Sequence, residues 1–167
     1  ITPSPEYLAR FRTALANLGV GNDNRIMLAI SGGPDSLALL LLAYEAAAGR
    51  ICAATVDHQL RPEAADEAAF VRELCEKMGV RHVTLTPVKK IKGNIQSAAR
   101  AARYDLLAKA ADDNGCAFIA TAHHGDDQIE TILMRLARGS GVDGLAAIRS
   151  RNSRLIRPLL GFSKSEL

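Results

Sequence analysis

The sequence contains no tryptophan, and its three tyrosines and four phenylalanines make up only 4% of the chain. Aromatic residues do not interleave with basic ones, so nothing suggests a platform on which bases stack. The three cysteines, Cys52, Cys75 and Cys116, are an odd number set 23 and 41 residues apart. That spacing excludes a disulfide framework and a zinc pair, and it fits a reducing, cytoplasmic compartment. The longest apolar run, about Leu37 to Tyr44, falls far short of the ~20 residues a membrane span needs. No basic stretch precedes an apolar one near the start, so no secretory signal is expected. Internal repeats and low-complexity segments are also missing.

What remains is 167 residues, 48% of them apolar, enough for one domain with a real core. The net charge of +3 is unevenly divided. Lys89 to Arg103 holds five basic residues and no acidic one, while Arg138 to Lys164 holds six against Asp143 alone. Each stretch carries +5, which leaves −7 for the rest. Such concentration favours a polyanion, either a nucleotide or a nucleic acid; the plain alternative is a solvated surface. The chain starts without Met and stops in what reads as an interrupted helix, Ser163 to Leu167. It is therefore expected to be a piece of a longer protein.

Ser4-Pro5-Glu6 starts a helix, with Ser as N-cap and Pro in the first turn. Leu8, Phe11, Leu15 and Leu18 continue it at helical spacing until Gly19. Short apolar runs at Ile26 to Ile30, Ile51 to Val56, His82 to Leu85 and Cys116 to Thr121 read as strands, with a fifth starting at Leu155-Ile156. Helices fall between them: about Asp35 to Ala48, Pro62 to Gly79, Asn94 to Asp113, and Asp126 to Ala137. The apolar face Ile129, Ile132, Leu133 and Leu136 of the last one is expected to be core. Strands and helices alternate, the strands lack polar alternation, and no hairpin signal is seen. The fold expected is α/β: an open, parallel, five-stranded sheet with helices on both faces.

In such sheets ligands bind beyond the carboxyl ends of the strands. Ser31-Gly32-Gly33-Pro34-Asp35-Ser36 follows the first strand. Its glycines permit a sharp turn and close approach to a ligand. The amides of Gly32, Gly33, Asp35 and Ser36 are expected to converge with the positive helix end into an anion site, helped by the two hydroxyls. Asp35 would repel phosphate unless Mg²⁺ intervenes. The string is neither a Walker A loop nor G-x-G-x-x-G. After the fourth strand come His123-His124-Gly125-Asp126-Asp127-Gln128-Ile129-Glu130-Thr131. Asp127 and Glu130 share a helix face beside the phosphate loop; the plain alternative is that Asp126 caps the helix and Glu130 is surface. His123 and Asp127 find no third ligand, so zinc is not expected.

The first string resembles the pyrophosphate loop of the ATP pyrophosphatase superfamily. His124-x-x-Asp127-Gln128-x-Glu130-Thr131, Leu133 to Leu136, Arg138-Gly139-Ser140-Gly141 and Gly144-Leu145 closely resemble the bacterial tRNA(Ile)-lysidine synthetases. Asp57-His58-x-Leu60-Arg61, Ala99-Arg100-x-x-Arg103-Tyr104 and Arg157-Pro158-Leu159-Leu160 match as well. The resemblance covers about Ile26 to Leu167. It implies a Rossmann-like, adenine nucleotide alpha hydrolase-like fold, with residues 1–167 forming the N-terminal catalytic domain and the tRNA-gripping domains absent. It also implies a reaction. ATP activates the C2 carbonyl oxygen of the wobble cytidine, in the isoleucine tRNA with a CAU anticodon, as an adenylate. The free amine of L-lysine then attacks C2, and AMP leaves. A homodimer is expected from the same resemblance.

On that footing, Ser31, Gly32, Gly33, Pro34, Asp35 and Ser36 bind ATP, with adenine against Val56-Asp57. Asp35 and Asp127 are candidate Mg²⁺ ligands. Arg100 and Arg103, three apart on one helix face, suit bidentate phosphate contact. Asp35, Asp126, Asp127 and Arg103 are the candidate catalytic residues. Asp126, His123 and His58 are all placed to accept the proton from lysine. Arg138 and Arg149 are expected to meet tRNA phosphates, by way of a loop containing Gly139, Ser140, Gly141 and Gly144. The rivals are a tRNA thiolase, disfavoured by the lack of a Cys-x-x-Cys pair, and a nucleotide-binding sensor without catalysis.

Overall fold

The computed structural model describes residues 2–59, 62–87, 95–139 and 148–167. Asn94, Leu60, Arg61, Lys89, Lys90, Lys92, Ser140, Gly141, Asp143, Gly144 and Leu145 lie outside them. The first helix, α1, is Pro5–Asn17, and the Tyr7 amide donates to the Ser4 hydroxyl as the N-cap requires. Strand β1 (Ile26–Ala29) leads into α2 (Pro34–Ala46), and β2 (Ile51–Val56) into α3 (Glu63–Met78). Strand β3 (Arg81–Leu85), α4 (Ile95–Asp113), β4 (Phe118–Ala120) and α5 (Gly125–Ala137) follow.

The sheet has six strands, not five, in the order β3-β2-β1-β4-β6-β5. Five are parallel, as expected from the alternation of strands and helices. The extra one, β5 (Arg151–Asn152), runs antiparallel to β6 (Leu155–Ile156). Ser153 turns this two-residue hairpin with φ of +55°. Strands of two residues have no readable hydrophobic period, and Ser153 is not the Gly or Asn that normally marks such a turn.

Alternation along β1 divides the core into two layers. Ile26, Leu28 and Ile30 face Phe11, Leu39 and Val71, which places α1, α2 and α3 on one side. Met27 and Ala29 face Leu107, Ala110 and Ala111 of α4 on the other. Each fully buried large side chain contributes about 1.5–3 kcal/mol. Covering both faces hides the period-two pattern that a one-sided sheet would show.

Helix α5 departs from the expected core. None of its residues is buried, and Ile129, Leu133 and Leu136 are 61%, 60% and 54% exposed, with Ile132 half-buried. Helical spacing reports that a face is apolar, but not what stands against it.

The basic stretch from Arg138 to Lys164 is divided in its roles. Arg151 donates to the Leu18 and Ser153 carbonyls, Arg154 to Asp112 and the Cys116 carbonyl, and Arg157 to the Arg149 carbonyl. These three guanidiniums hold main chain, so Arg138, Arg149 and Lys164 are what remains of the stretch for an outside anion.

The chain after β6 returns to α1. Arg10 reaches Glu166 at 2.6 Å and the Gly161 carbonyl at 2.7 Å, with its guanidinium 4.3 Å from the Phe162 ring centroid. The last residues form a short 3-10 helix, Lys164–Glu166, whose Glu166 also accepts from the Ser163 amide. Arg10 first, then these Ser163 donors, hold the Glu166 carboxyl at about 2, below its ordinary 4.5. A carboxyl lowered on folding adds stability that is present above pH 4.5 and is lost as pH falls toward 2. The thermal midpoint of Glu166→Gln should therefore lie below wild type at pH 6, and the gap should close between pH 4.5 and 2.5. A gap that does not change over that range would show that the clasp is electrostatically idle.

Candidate functional site

Strand β1 is flanked by β2 and β4, so the order reverses between β1 and β4. This is the topological switch point at which open α/β sheets bind ligands. Ser31 to Ser36 follow β1 there, and His123 and His124 follow β4.

The loop is organised by Ser36. Its buried hydroxyl accepts from the Ser31 and Gly32 amides, each at 3.2 Å, and donates to the Gly33 carbonyl at 2.9 Å. Gly32 has φ of +90°, and a Cβ there would meet Val71 and Glu67 at 3.5–3.7 Å, so glycine is required by conformation more than by space. The Gly32 amide is thus held within the loop, as is that of Gly33 on the Ser31 hydroxyl at 3.5 Å. Asp35 and Ser36, in the first turn of α2, have amides with no intrahelical partner, and these supply the positive helix end.

His124 joins the two motifs. It is 4% exposed and forms the N-cap of α5. Its Nε2 lies 3.1 Å from Asp35 Oδ2, and its Nδ1 lies 3.6 Å from Asp127 Oδ2. A carboxylate only accepts, so Nε2 carries a proton toward Asp35. The His124 amide donates to Asp127 Oδ2 at 2.8 Å, which gives the capping bond to Asp127 and not to Asp126. Asp126 is exposed and accepts from the Lys164 amide at 3.2 Å, turned toward the C-terminal segment. His124 stood in the sequence string without a role; nothing short of the pairing of loop and strand end would have placed it between two carboxylates.

Two cavities open at this edge and share Ala29, Ser31 and Arg103. One, of about 200 Å³, is lined by Ile30, Val56, His58 and Glu67 as well. The other, of about 240 Å³, is lined also by Gly33, Asp35, Ser36, His123 and Asp127. The structure therefore gathers Ser31, Gly33, Asp35, Ser36, Val56, Arg103 and Asp127 around one cleft. Pro34 is the first residue of α2. Arg100 is exposed, with its guanidinium 5.6 Å from the Tyr104 ring centroid and that of Arg103 at 5.8 Å. Arg138 is the exposed C-cap of α5, and Arg149 is exposed beside Ile148. Neither arginine lines the cleft.

Burial lowers the basicity of His123, and the nearby Arg157 lowers it further against the pull of Asp127. Burial and Arg103 do the same to His58. Both imidazoles are thus biased to the neutral form, which can accept a proton. Asp35 and Asp127 offer hard oxygens beside a phosphate-type loop, the donor set that suits Mg²⁺ completed by phosphate and water. Among the described residues no cluster of three or more His, Cys, Asp and Glu could hold a metal alone.

Gly125 locks α5 to the C-terminal segment. Its amide donates to the Phe162 carbonyl at 2.7 Å, and a Cβ would stand 2.9 Å from that oxygen. Gly125→Ala should destabilise the fold by about 1–3 kcal/mol, read from urea unfolding. Unchanged stability would mean that this contact yields freely. Ser36→Val removes the acceptor shared by two loop amides and should weaken ATP binding; unchanged affinity would refute the loop assignment.

Residues 5–167 match the PP-loop domain family. The chain is 50% identical over 150 residues to a tRNA(Ile)-lysidine synthase from Novosphingobium aromaticivorans, covering 86% of this chain and 46% of that protein. It is 49% identical over 152 residues to the Zymomonas mobilis protein of the same name, with the same coverage. The Wolbachia protein of that name, from Brugia malayi, is 43% identical over 97% of this chain and 40% of its own length. The chain thus spans less than half the length of these relatives. Among solved structures, the U34-tRNA thiolase NcsA from Methanococcus maripaludis, with its 4Fe-4S cluster, gives a TM-score of 0.78 at 21% identity, covering 96% of this chain and 60% of that one. The NH3-dependent NAD synthetase from Campylobacter jejuni gives 0.63 at 16% identity, covering 96% and 69%. Both share the fold. The chain belongs to the PP-loop domain family, the ATP-binding domain that its relatives named tRNA(Ile)-lysidine synthase carry.

Proposed function

We propose that this chain is the catalytic domain of an ATP-dependent ligase that attaches L-lysine to C2 of the wobble cytidine of a CAU-anticodon isoleucine tRNA. The observation that carries this reading is His124, which brings Asp35 of the phosphate loop and Asp127 of α5 to one point. Adenine would enter the cavity at Val56, and the triphosphate would lie along Ser31 to Ser36 with Arg103 beside it. Asp35 and Asp127 would hold Mg²⁺, whose charge offsets that of the phosphates.

In the first step the cytidine C2 oxygen bonds to the α-phosphorus, and the bond to the β-phosphate oxygen breaks. The Asp35 and Ser36 amides and Arg103 stabilise the departing pyrophosphate. In the second step the lysine nitrogen bonds to C2, and the C2–O bond breaks with AMP as leaving group. The amine proton passes to a neutral imidazole, for which His123 in the phosphate cavity is better placed than His58, beside the adenine, or Asp126, engaged by Lys164. Arg138 and Arg149 would hold tRNA phosphates.

Thiolation is the weaker reading. Cys52, Cys75 and Cys116 are buried, and burial pushes the Cys75 thiol to about 11 and the Cys116 thiol to about 12. Cys52 and Cys116 stand at the amino end of the sheet, away from the cleft. Three buried, reduced thiols fit a cytoplasmic setting, and among the described residues no helix is long and apolar enough to cross a membrane. A homodimer rests on the resemblance, and sedimentation over a concentration range tests it: a single monomeric species would remove it.

ATP, tRNA and labelled lysine should give label on tRNA. Label transferred from a sulfur donor instead would favour thiolation, and bound ATP without turnover would favour a sensor. Asp127→Asn should abolish pyrophosphate release over a full magnesium titration; a wild-type rate would reduce Asp127 to a helix cap. Arg138→Ala and Arg149→Ala in the whole protein should each flatten the salt dependence of tRNA binding by about one unit of slope. Wild-type slopes with lowered stability would make both arginines structural.

A further inference from the structure

The family motif places Gln128 directly after Asp127, and the reaction gives it no task. The structure does. Gln128 Nε2 donates to the Ile148 carbonyl at 2.8 Å, and its Oε1 accepts from the Ile148 amide at 2.7 Å. Both halves of one side-chain amide are thus spent on both main-chain groups of one residue, as a neighbouring strand would do. The next two residues are held as well. Arg157 donates from Nη1 to the Arg149 carbonyl at 2.6 Å, and its amide donates to the Ser150 carbonyl at 2.8 Å. Arg157 is only 7% exposed and follows β6, whose neighbour β4 runs into His123. Main chain 148–150 is therefore fastened at one end to the first turn of α5 and at the other to the carboxyl end of β6.

Helix α5 needs such fastening. It buries no residue of its own, and a helix without a packed face has little tertiary packing to fix its position. Its first turn nevertheless carries Asp127. The Gly125 bond to Phe162 and the Asp126 bond to the Lys164 amide tie that turn to the C-terminal segment; Gln128 ties it to a different stretch, at Ile148.

We propose that Gln128 is a positioning residue: by clasping the Ile148 main chain, which Arg157 anchors to the sheet through residues 149 and 150, it holds the first turn of α5 so that Asp127 faces the phosphate loop. This rests on the reading of that edge as the site of ATP activation. The clasp needs a donor and an acceptor together. Gln128→Met keeps length without either, and Gln128→Glu keeps only the acceptor for the Ile148 amide.

The test uses the whole protein with ATP, magnesium, lysine and tRNA. For Gln128→Met, kcat for pyrophosphate release should fall by about tenfold or more, the cost of a slightly misplaced group. The dissociation constant for ATP should stay within about twofold, because the loop is built by Ser36 and not by α5. Amide exchange in peptides covering residues 124–130 should quicken, and Gln128→Glu should fall between Met and wild type in both readouts. An unchanged kcat with unchanged exchange would overturn the proposal. So would parallel losses in ATP affinity, kcat and unfolding midpoint, which mark a merely structural residue. If Gln128→Met does not fold, Gln128→Glu decides by the same measures. If the wild-type protein releases no pyrophosphate, the functional reading fails, and the exchange of residues 124–130 alone decides whether Gln128 positions the helix.

Discussion

The site depends on one buried imidazole. His124 has Asp35 on one nitrogen at 3.1 Å, Asp127 near the other at 3.6 Å, and its own amide on Asp127. Two carboxylates drawn together beside a phosphate loop repel each other, and His124 supplies a donor to each: its ring Nε2 to Asp35 and its main-chain amide to Asp127. It also ties the start of α2 to the start of α5, whose positive ends both point into the cleft. Removing the ring would leave two facing carboxylates and a hole at the switch point of the sheet.

The rest of the molecule can be understood as holding those two helix ends in place. Helix α2 is secured conventionally, through Leu39, Leu40 and Ala43 in the core. Helix α5 is secured by main-chain contacts: Gly125 on Phe162, Gln128 on Ile148 and Asp126 on Lys164. The segment that accepts them is fixed in turn by Arg10 and Arg157. Arginines that look like a nucleic-acid surface in the sequence are thus partly struts that hold main chain in place. A guanidinium reaches carbonyls on two segments at once, which Lys does less well.

Much of this was legible in the sequence. Buried strands reveal themselves by short apolar runs, and Gly32-Gly33 after such a run announces a turn that approaches a ligand. Asp35 and Asp127, singled out from two separate motifs, line one cavity. Three things were not legible, each for a physical reason. The β5–β6 hairpin is too short to show a period. The apolar stripe of α5 has the spacing of a core face but no core against it. Asp126 and Asp127 are adjacent carboxylates of equal helix-start quality, and only the position of His124 and Lys164 decides which one faces the cleft. The partner of a side chain is a fact of tertiary structure, and local pattern carries no record of it.

The most direct measurement is the single-turnover rate of pyrophosphate release by His124→Ala, with ATP affinity measured alongside. If the imidazole aligns Asp35 with Asp127, the rate at saturating ATP falls about 100-fold or more, some 2.7 kcal/mol in the barrier. Binding changes far less, because the loop hydrogen bonds of Ser36 are untouched. A wild-type rate in a folded His124→Ala protein would contradict the account, since the two carboxylates would then need no imidazole between them.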